Sequence, residues 1–118
     1  MFKVTYTIKD LTKSFNISIR TLRFYDEIGL LKPARRGQNL YRYYEEEHFL
    51  RLEKILFYKE IGLELSIIRT LLEGNSSVNV QIFQKQKQIL LDSILHSQEL
   101  IVKIDLEIKN STDSLNQK

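Results

Sequence analysis

Apolar positions recur at helical spacing through most of the chain. Ile8, Leu11 and Phe15 share one face of a short amphipathic segment. Thr7 opens it as an N-cap, and Asp10, three residues on, lies near the positive end of the helix. The segment stops at Asn16, which tolerates the left-handed backbone of a C-terminal turn. Ser18 is a second N-cap. Ile19, Leu22 and then Tyr25 or Asp26 set the inward side of the next helix, which Gly29 ends, while Arg20, Thr21, Arg23 and Phe24 occupy its remaining faces. Two short helices joined by a turn of about three residues, the second Arg-rich near its start, form a helix-turn-helix pattern.

The period then changes. Pro33 blocks further helix, Gly37-Gln38-Asn39 is a turn cluster, and Leu40 to Tyr44 is a β-favouring run. Residues 31–44 are predicted to form a β-hairpin, a wing. Glu45, Glu46 and Glu47 suit the first turn of a helix. Phe49, Leu52, Ile55 and Leu56 supply its stripe and Gly62 its stop. Ser66 is predicted to cap a further helix carrying Ile67, Ile68, Leu71 and Leu72, ended by Gly74. Residues 1–74 thus read as one domain and 75–79 as a polar linker.

From Val80 onward there is neither Gly nor Pro. Phe83, Leu90, Ile94, Ile101, Ile104 and Ile108 are spaced by sevens, fours and threes, and Leu91, Leu95 and Val102 widen the stripe. Lys87 and Ser97 interrupt the repeat. The pattern predicts one helix over 80–110, about 45 Å long at 1.5 Å per residue. Such a stripe outgrows a small domain that already has its own core, so it is expected to pair with a second copy. Folding back on its own chain is the alternative. Residues 111–118 are expected to fray.

Composition narrows the function classes. With 118 residues, 42% hydrophobic and 28% charged, the chain fits one small domain plus an extension and not wholesale disorder. The absence of cysteine excludes a disulfide scaffold, a thiolate metal site and a cysteine nucleophile. His48 and His96 are far apart in sequence, which argues against a histidine metal centre. No apolar run approaches the ~20 residues of a membrane span, and the first six residues lack a secretory h-region. The expected compartment is the cytoplasm. No Ser/His/Asp grouping, phosphate loop or paired-carboxylate site emerges, so neither an enzyme nor a cofactor is expected.

Charge adds the first functional pointer. Residues 1–62 hold 12 basic and 8 acidic side chains, whereas residues 63–118 hold 6 and 7. Within 20–44, Arg20, Arg23, Lys32, Arg35, Arg36 and Arg42 face only Asp26 and Glu27, with Phe24, Tyr25, Tyr41, Tyr43 and Tyr44 interleaved. Arginine suits planar, bidentate contact with phosphate and guanine. A nucleic-acid surface and a solvated charged face both fit this composition.

The order of elements and several strings resemble the MerR family of bacterial transcription regulators. The strings are Tyr6-Thr7-Ile8-Lys9-Asp10-Leu11, Ser18 to Leu31 (which reads SIRTLRFYDEIGLL), Pro33-Ala34-Arg35-Arg36, Tyr41-Arg42-Tyr43-Tyr44 and Ile61-Gly62-Leu63. Each is weak alone; their joint order and spacing are specific. The resemblance implies a mainly α fold, a winged helix-turn-helix domain followed by a long helix that pairs as an antiparallel coiled coil in a homodimer. It implies a recognition helix starting at Ser18, with Ser18, Arg20, Thr21, Arg23 and Tyr25 facing double-stranded promoter DNA. For Tyr25 the alternative is partial core packing. Arg35, Arg36 and Arg42 would grip DNA from the wing. Lys59 matches a phosphate-contacting position in relatives, with a solvated lysine as the alternative. The pairing seam would be Phe83, Leu90, Leu91, Ile94, Leu95, Ile101, Ile104 and Ile108.

The implied mechanism is promoter activation. The dimer would bind a pseudo-palindromic site, deform an over-long spacer and so act on RNA polymerase through the DNA. A DNA-bound repressor or architectural protein and, more remotely, a helix-mediated interaction module are the rivals. Metal- and redox-sensing members use cysteines at the far end of the long helix, and this chain has none. Drug-sensing members carry a separate ligand domain after it. The reading here is a minimal regulator or the N-terminal part of a longer one, with its effector unidentified. Three positions depart from the family pattern. Asn39-Leu40 replaces the usual Gly before Tyr-Arg, which shifts the expected hairpin turn. Glu45 stands where a small cap is usual. His48 replaces an acidic residue and is expected on the surface, as is His96.

Overall fold

Side-chain caps set the boundaries of the first helices. The computed structural model describes residues 4–38 and 41–117, and these fall into two units dividing between Asn75 and Ser76. A short strand, β1 (Thr5–Thr7), leads directly into α1 (Ile8–Phe15). Thr7 Oγ1 accepts the Asp10 N–H at 3.2 Å, and the Asp10 carboxylate accepts the Thr7 N–H at 2.8 Å. This reciprocal box satisfies two donors that a helix start leaves free. Asn16 ends α1 in the left-handed region with φ 53°, as its side chain allows. α2 (Ile19–Glu27) then starts from Ser18, whose Oγ accepts the Thr21 N–H at 3.0 Å. Gly29, at φ 73°, turns the chain out of α2.

The wing consists of β2 (Arg35–Arg36) and β3 (Arg42–Glu45), antiparallel, with Arg36 opposite Arg42. Of the turn cluster, Asn39 and the following Leu40 lie outside the described residues. β1 pairs with the other edge of β3, placing Tyr6 opposite Tyr44, so the sheet has three strands in the order β1-β3-β2. The hairpin expectation missed β1, because three residues show no readable alternation. α3 (Glu46–Glu60) follows β3 without a loop, and α4 (Leu65–Leu72) follows the Gly62 turn. Glu64, not Ser66, occupies the α4 N-cap; Ser66 lies inside the helix and its carbonyl accepts from Thr70 Oγ1. Leu11, Leu22, Leu30, Leu31, Tyr44, Leu52, Ile55 and Ile68 form a fully buried core in which every one of these elements except β1 and β2 takes part.

His48 departs from expectation. Its side chain is 16% exposed, and its Nδ1 accepts the Glu45 N–H at 3.0 Å. It therefore closes the first turn of α3 as the partner in a capping box with Glu45. A glutamate at the cap is tolerated because the imidazole supplies the reciprocal acceptor.

The second unit is a single helix, α5 (Ser76–Asn116). It is longer than expected at both ends. Ser76 to Asn79 are its first turn and not a linker, and the expected frayed tail is helical to Asn116. Its 41 residues span about 60 Å. Polar residues at both ends carry no breaker, so nothing in their chemistry stops propagation. The division between the units falls after Asn75, against a domain end expected at 74 and a linker expected over 75–79. The architecture is a winged helix-turn-helix with a long C-terminal helix.

Candidate nucleic-acid interface

α2 presents its charged face outward because Leu22 and Tyr25 anchor the other side. Arg20, Arg23 and Phe24 are exposed and lie three and four residues apart, which sets them on one helical surface. Together with Ile19 and Glu27 they line a shallow cleft. Ser18 Oγ and Thr21 Oγ1 are 2.9 Å apart at the N-terminal edge of this face. One hydroxyl proton makes that bond, and the other remains to be donated. Tyr25 is placed differently from the DNA-facing role assigned to it: it is 5% exposed and packs in the core beside Phe24. Burial pushes its phenol pKa up. At i+3 from Leu22 it falls on the inward stripe, and its large ring belongs there.

The wing is tied to α2 by a buried carboxylate. The Asp26 side chain is 5% exposed. Arg36 Nη2 donates to both of its oxygens, at 2.8 and 2.7 Å, and Arg42 Nε donates to Oδ2 at 2.9 Å. Burial alone would raise the Asp26 pKa. The hydrogen bonds from Arg42 and Arg36 and their charges outweigh that, and hold the carboxyl below its ordinary range. Arg42 is 19% exposed and Arg36 49%. Arg42, expected to grip DNA, is therefore mostly committed to neutralising Asp26, because a buried carboxylate without a cation is costly. Arg36 shares that task and keeps an outward-facing half.

Arg35 is exposed, with its guanidinium 4.1 Å from the Tyr43 ring centre. Tyr41 meets the same ring edge-on at 5.4 Å. Gly37 permits this arrangement: a Cβ there would come within 2.6 Å of Tyr43 Cε2. Lys59 is exposed in the last turn of α3. The structure thus brings together Asp26, Arg36 and Arg42 across α2 and the wing, groups Arg20 with Arg23, and leaves Arg35 on its own aromatic support.

Sequence reasoning missed Asp26 as an organising residue. Its signal was available: four residues beyond Leu22, it is a carboxylate on a buried stripe, and such a position demands a cation. It also missed two arginines that hold the turn leaving α2. Arg51 Nε donates to the Leu30 carbonyl at 2.8 Å, and Arg69 donates to the carbonyls of Ile28 and Gly29. The carbonyls at the end of α2 itself are taken by backbone N–H groups of the turn, Gly29 to Asp26 and Leu30 to Tyr25, so the two arginines satisfy the turn's own carbonyls while placing positive charge near the helix C-terminus. On α5, Leu90, Leu91, Ile94, Leu95, Ile101, Ile104 and Ile108 are all exposed, whereas Phe83 is half-buried.

The family model described as MerR HTH family regulatory protein matches residues 6–75, the span that holds the helix-turn-helix, the wing and the following helix pair. The chain belongs to the MerR family. Within that family it is 37% identical over 100 residues to the HTH-type transcriptional activator mta of Bacillus subtilis, an alignment covering 85% of this chain and 39% of that protein. The chain therefore spans about two fifths of the length of this curated relative. The crystal structure of the N-terminus of the Bacillus subtilis multidrug transporter activator matches with a TM-score of 0.71 at 36% identity, over 87% of this chain and 97% of that one. HiNmlR, a MerR family regulator lacking the sensor domain and solved bound to promoter DNA, shares the fold. Its TM-score is 0.69 at 22% identity, over 89% of this chain and 88% of that one. Among the described residues, no helix of this MerR chain is long and apolar enough to cross a membrane.

Proposed function

We propose that this chain binds promoter DNA as a homodimer and regulates transcription by deforming the spacer between promoter elements. The observation that carries the reading is an exposed Arg20–Arg23 surface on a capped nine-residue helix, beside a wing that displays Arg35 and Arg36. α2 enters the major groove, where an arginine donates two hydrogen bonds to guanine O6 and N7. The spare hydroxyl proton of the Ser18–Thr21 pair is donated to a phosphate at the edge of the groove. Arg35, Arg36 and Lys59 take further phosphates. The exposed stripe of α5 pairs with its copy in antiparallel fashion, which presents two recognition helices to a pseudo-palindrome. Contacts at the two wings offset the few kcal/mol needed to bend and untwist the intervening DNA. RNA polymerase then meets realigned promoter elements.

Two relatives support this reading by what they are: one is a transcriptional activator, and one was solved on promoter DNA. The test is selection from a random-sequence duplex pool by the full chain, followed by fluorescence anisotropy across a salt series. Enriched duplexes should share a pseudo-palindrome, and affinity should fall steeply with salt. Arg23→Ala should lower affinity about tenfold or more with an unchanged Tm, because Arg23 is exposed. Failure to enrich any sequence refutes the DNA-binding reading. Run-off transcription from a promoter carrying the selected site then separates mechanisms, and repression without activation refutes spacer realignment.

A further inference from the structure

The junction between α2 and the wing holds more positive charge than burial requires. One guanidinium suffices to neutralise the Asp26 carboxylate, and Arg42, the more buried of the two, already donates to it. Arg36 adds a second cation, bound through Nη2 alone. Its Nε and Nη1 have no partner among the described residues, and half of the side chain remains in solvent. An unrestrained arginine of that exposure would sample many rotamers, and ordering it on binding would cost free energy. Here two hydrogen bonds fix it before any ligand arrives. Asp26 also lies one helical turn from Arg23, on the same nine-residue helix. The carboxylate that holds the wing is thus part of the element that displays Arg20 and Arg23.

We propose that Asp26 is a positioning residue for DNA: it locks the wing to the recognition helix and aims the unused donors of Arg36 at a backbone phosphate. This deepens, and rests on, the DNA-binding reading above. Arg36 is the contact, Arg42 the buried counter-charge, and Asp26 acts through Arg36. Simple electrostatics and positioning give opposite signs for Asp26→Asn. Removing a negative charge near a polyanion should strengthen binding if charge alone matters. Releasing Arg36 should weaken it.

The experiment is anisotropy of the full chain on the duplex it enriches from a random pool, over a salt series, with Tm measured on every variant. Asp26→Asn is expected to weaken binding about tenfold, the scale of a lost charge-assisted contact. The slope of log affinity against log salt should flatten by about one released counterion. In an Arg36→Ala background, Asp26→Asn should cause no further loss. Equal or tighter binding by Asp26→Asn overturns the proposal, as does a full further loss in the Arg36→Ala background. If Asp26→Asn does not fold, Arg36→Lys decides, since lysine keeps the charge without the fixed fork. Wild-type affinity for Arg36→Lys overturns the proposal, and a loss matching Arg36→Ala supports it. Arg23→Ala separates the two levels. If it weakens binding while Asp26→Asn does not, only the positioning role fails; if the wild-type chain enriches no duplex, both readings fall.

Discussion

The exposed stripe of α5 makes a quantitative prediction about dimerisation. Ile94 and Ile101 are each 55% exposed, one heptad apart, and Ile108 continues the series. Full burial of an isoleucine contributes about 1.5–3 kcal/mol, so covering the exposed half of each contributes about 1 kcal/mol. A two-fold seam counts every substitution twice. The double substitution Ile94→Ala with Ile101→Ala should therefore cost about 4 kcal/mol per dimer, close to a thousandfold in the dissociation constant. Ile94→Asp with Ile101→Asp places four carboxylates in the same seam and should leave only monomer at micromolar concentration. Sedimentation equilibrium over a concentration series measures both, with far-UV circular dichroism to check helix content. A dissociation constant moved less than about tenfold by the alanine pair, or a persistent dimer with the aspartates, would refute this seam.

Three further outcomes test the first unit. Tyr44 is fully buried and its hydroxyl has no hydrogen-bond partner among the described residues, so Tyr44→Phe should raise stability by about 1 kcal/mol in urea unfolding; a loss of that size would mean the hydroxyl is satisfied. Asp26 is held below its unfolded pKa of about 3.9, so its paired form stabilises the fold above that pH and the contribution fades as pH falls through the lower folded value. The stability gap between wild type and Asp26→Asn should accordingly be widest near neutrality and start to narrow only below about pH 4, closing as pH falls through the lower folded value, and a gap independent of pH would show that the ionised pair contributes nothing. Gly37→Ala should displace the Tyr43 ring, costing about 1–3 kcal/mol and loosening Arg35, and unchanged Tm with unchanged DNA affinity would show that the ring has room to move.

Helices were legible where residue chemistry acts locally. Thr7, Asp10, Asn16 and Ser18 each do in the structure what their side chains favour within three residues. The periodic apolar residues of the helix-turn-helix and of α5 found their elements for the same reason. The α4 cap at Glu64 and the two ends of α5 were misplaced locally; the rest of what escaped was non-local. β1 exists because β3 offers it an edge, and three residues of sequence cannot announce that. His48 looked like a surface residue until the geometry of Glu45 made its ring a cap. In the interface, the exposure of Arg20 and Arg23 could be read from the phase of one helix. The roles of Arg36 and Arg42 could not, because they depend on a carboxylate 10 and 16 residues away across a turn.

The anchoring of α2 has a consequence for how such a chain can change over evolutionary time. Its start is tied by Ser18, and the turn that leaves it is held by Arg51 and Arg69, which belong to other helices. Its inward side is fixed by Leu22 and Tyr25. None of these groups is among the outward positions 20, 23 and 24. The side chains that would read bases are thus separable from those that keep the helix in place. On the proposed DNA-binding reading, operator preference can drift by substitution at the outward positions while the angle at which the helix is offered stays constant. A lineage with this arrangement can acquire new target sites one residue at a time without passing through an unfolded intermediate sequence.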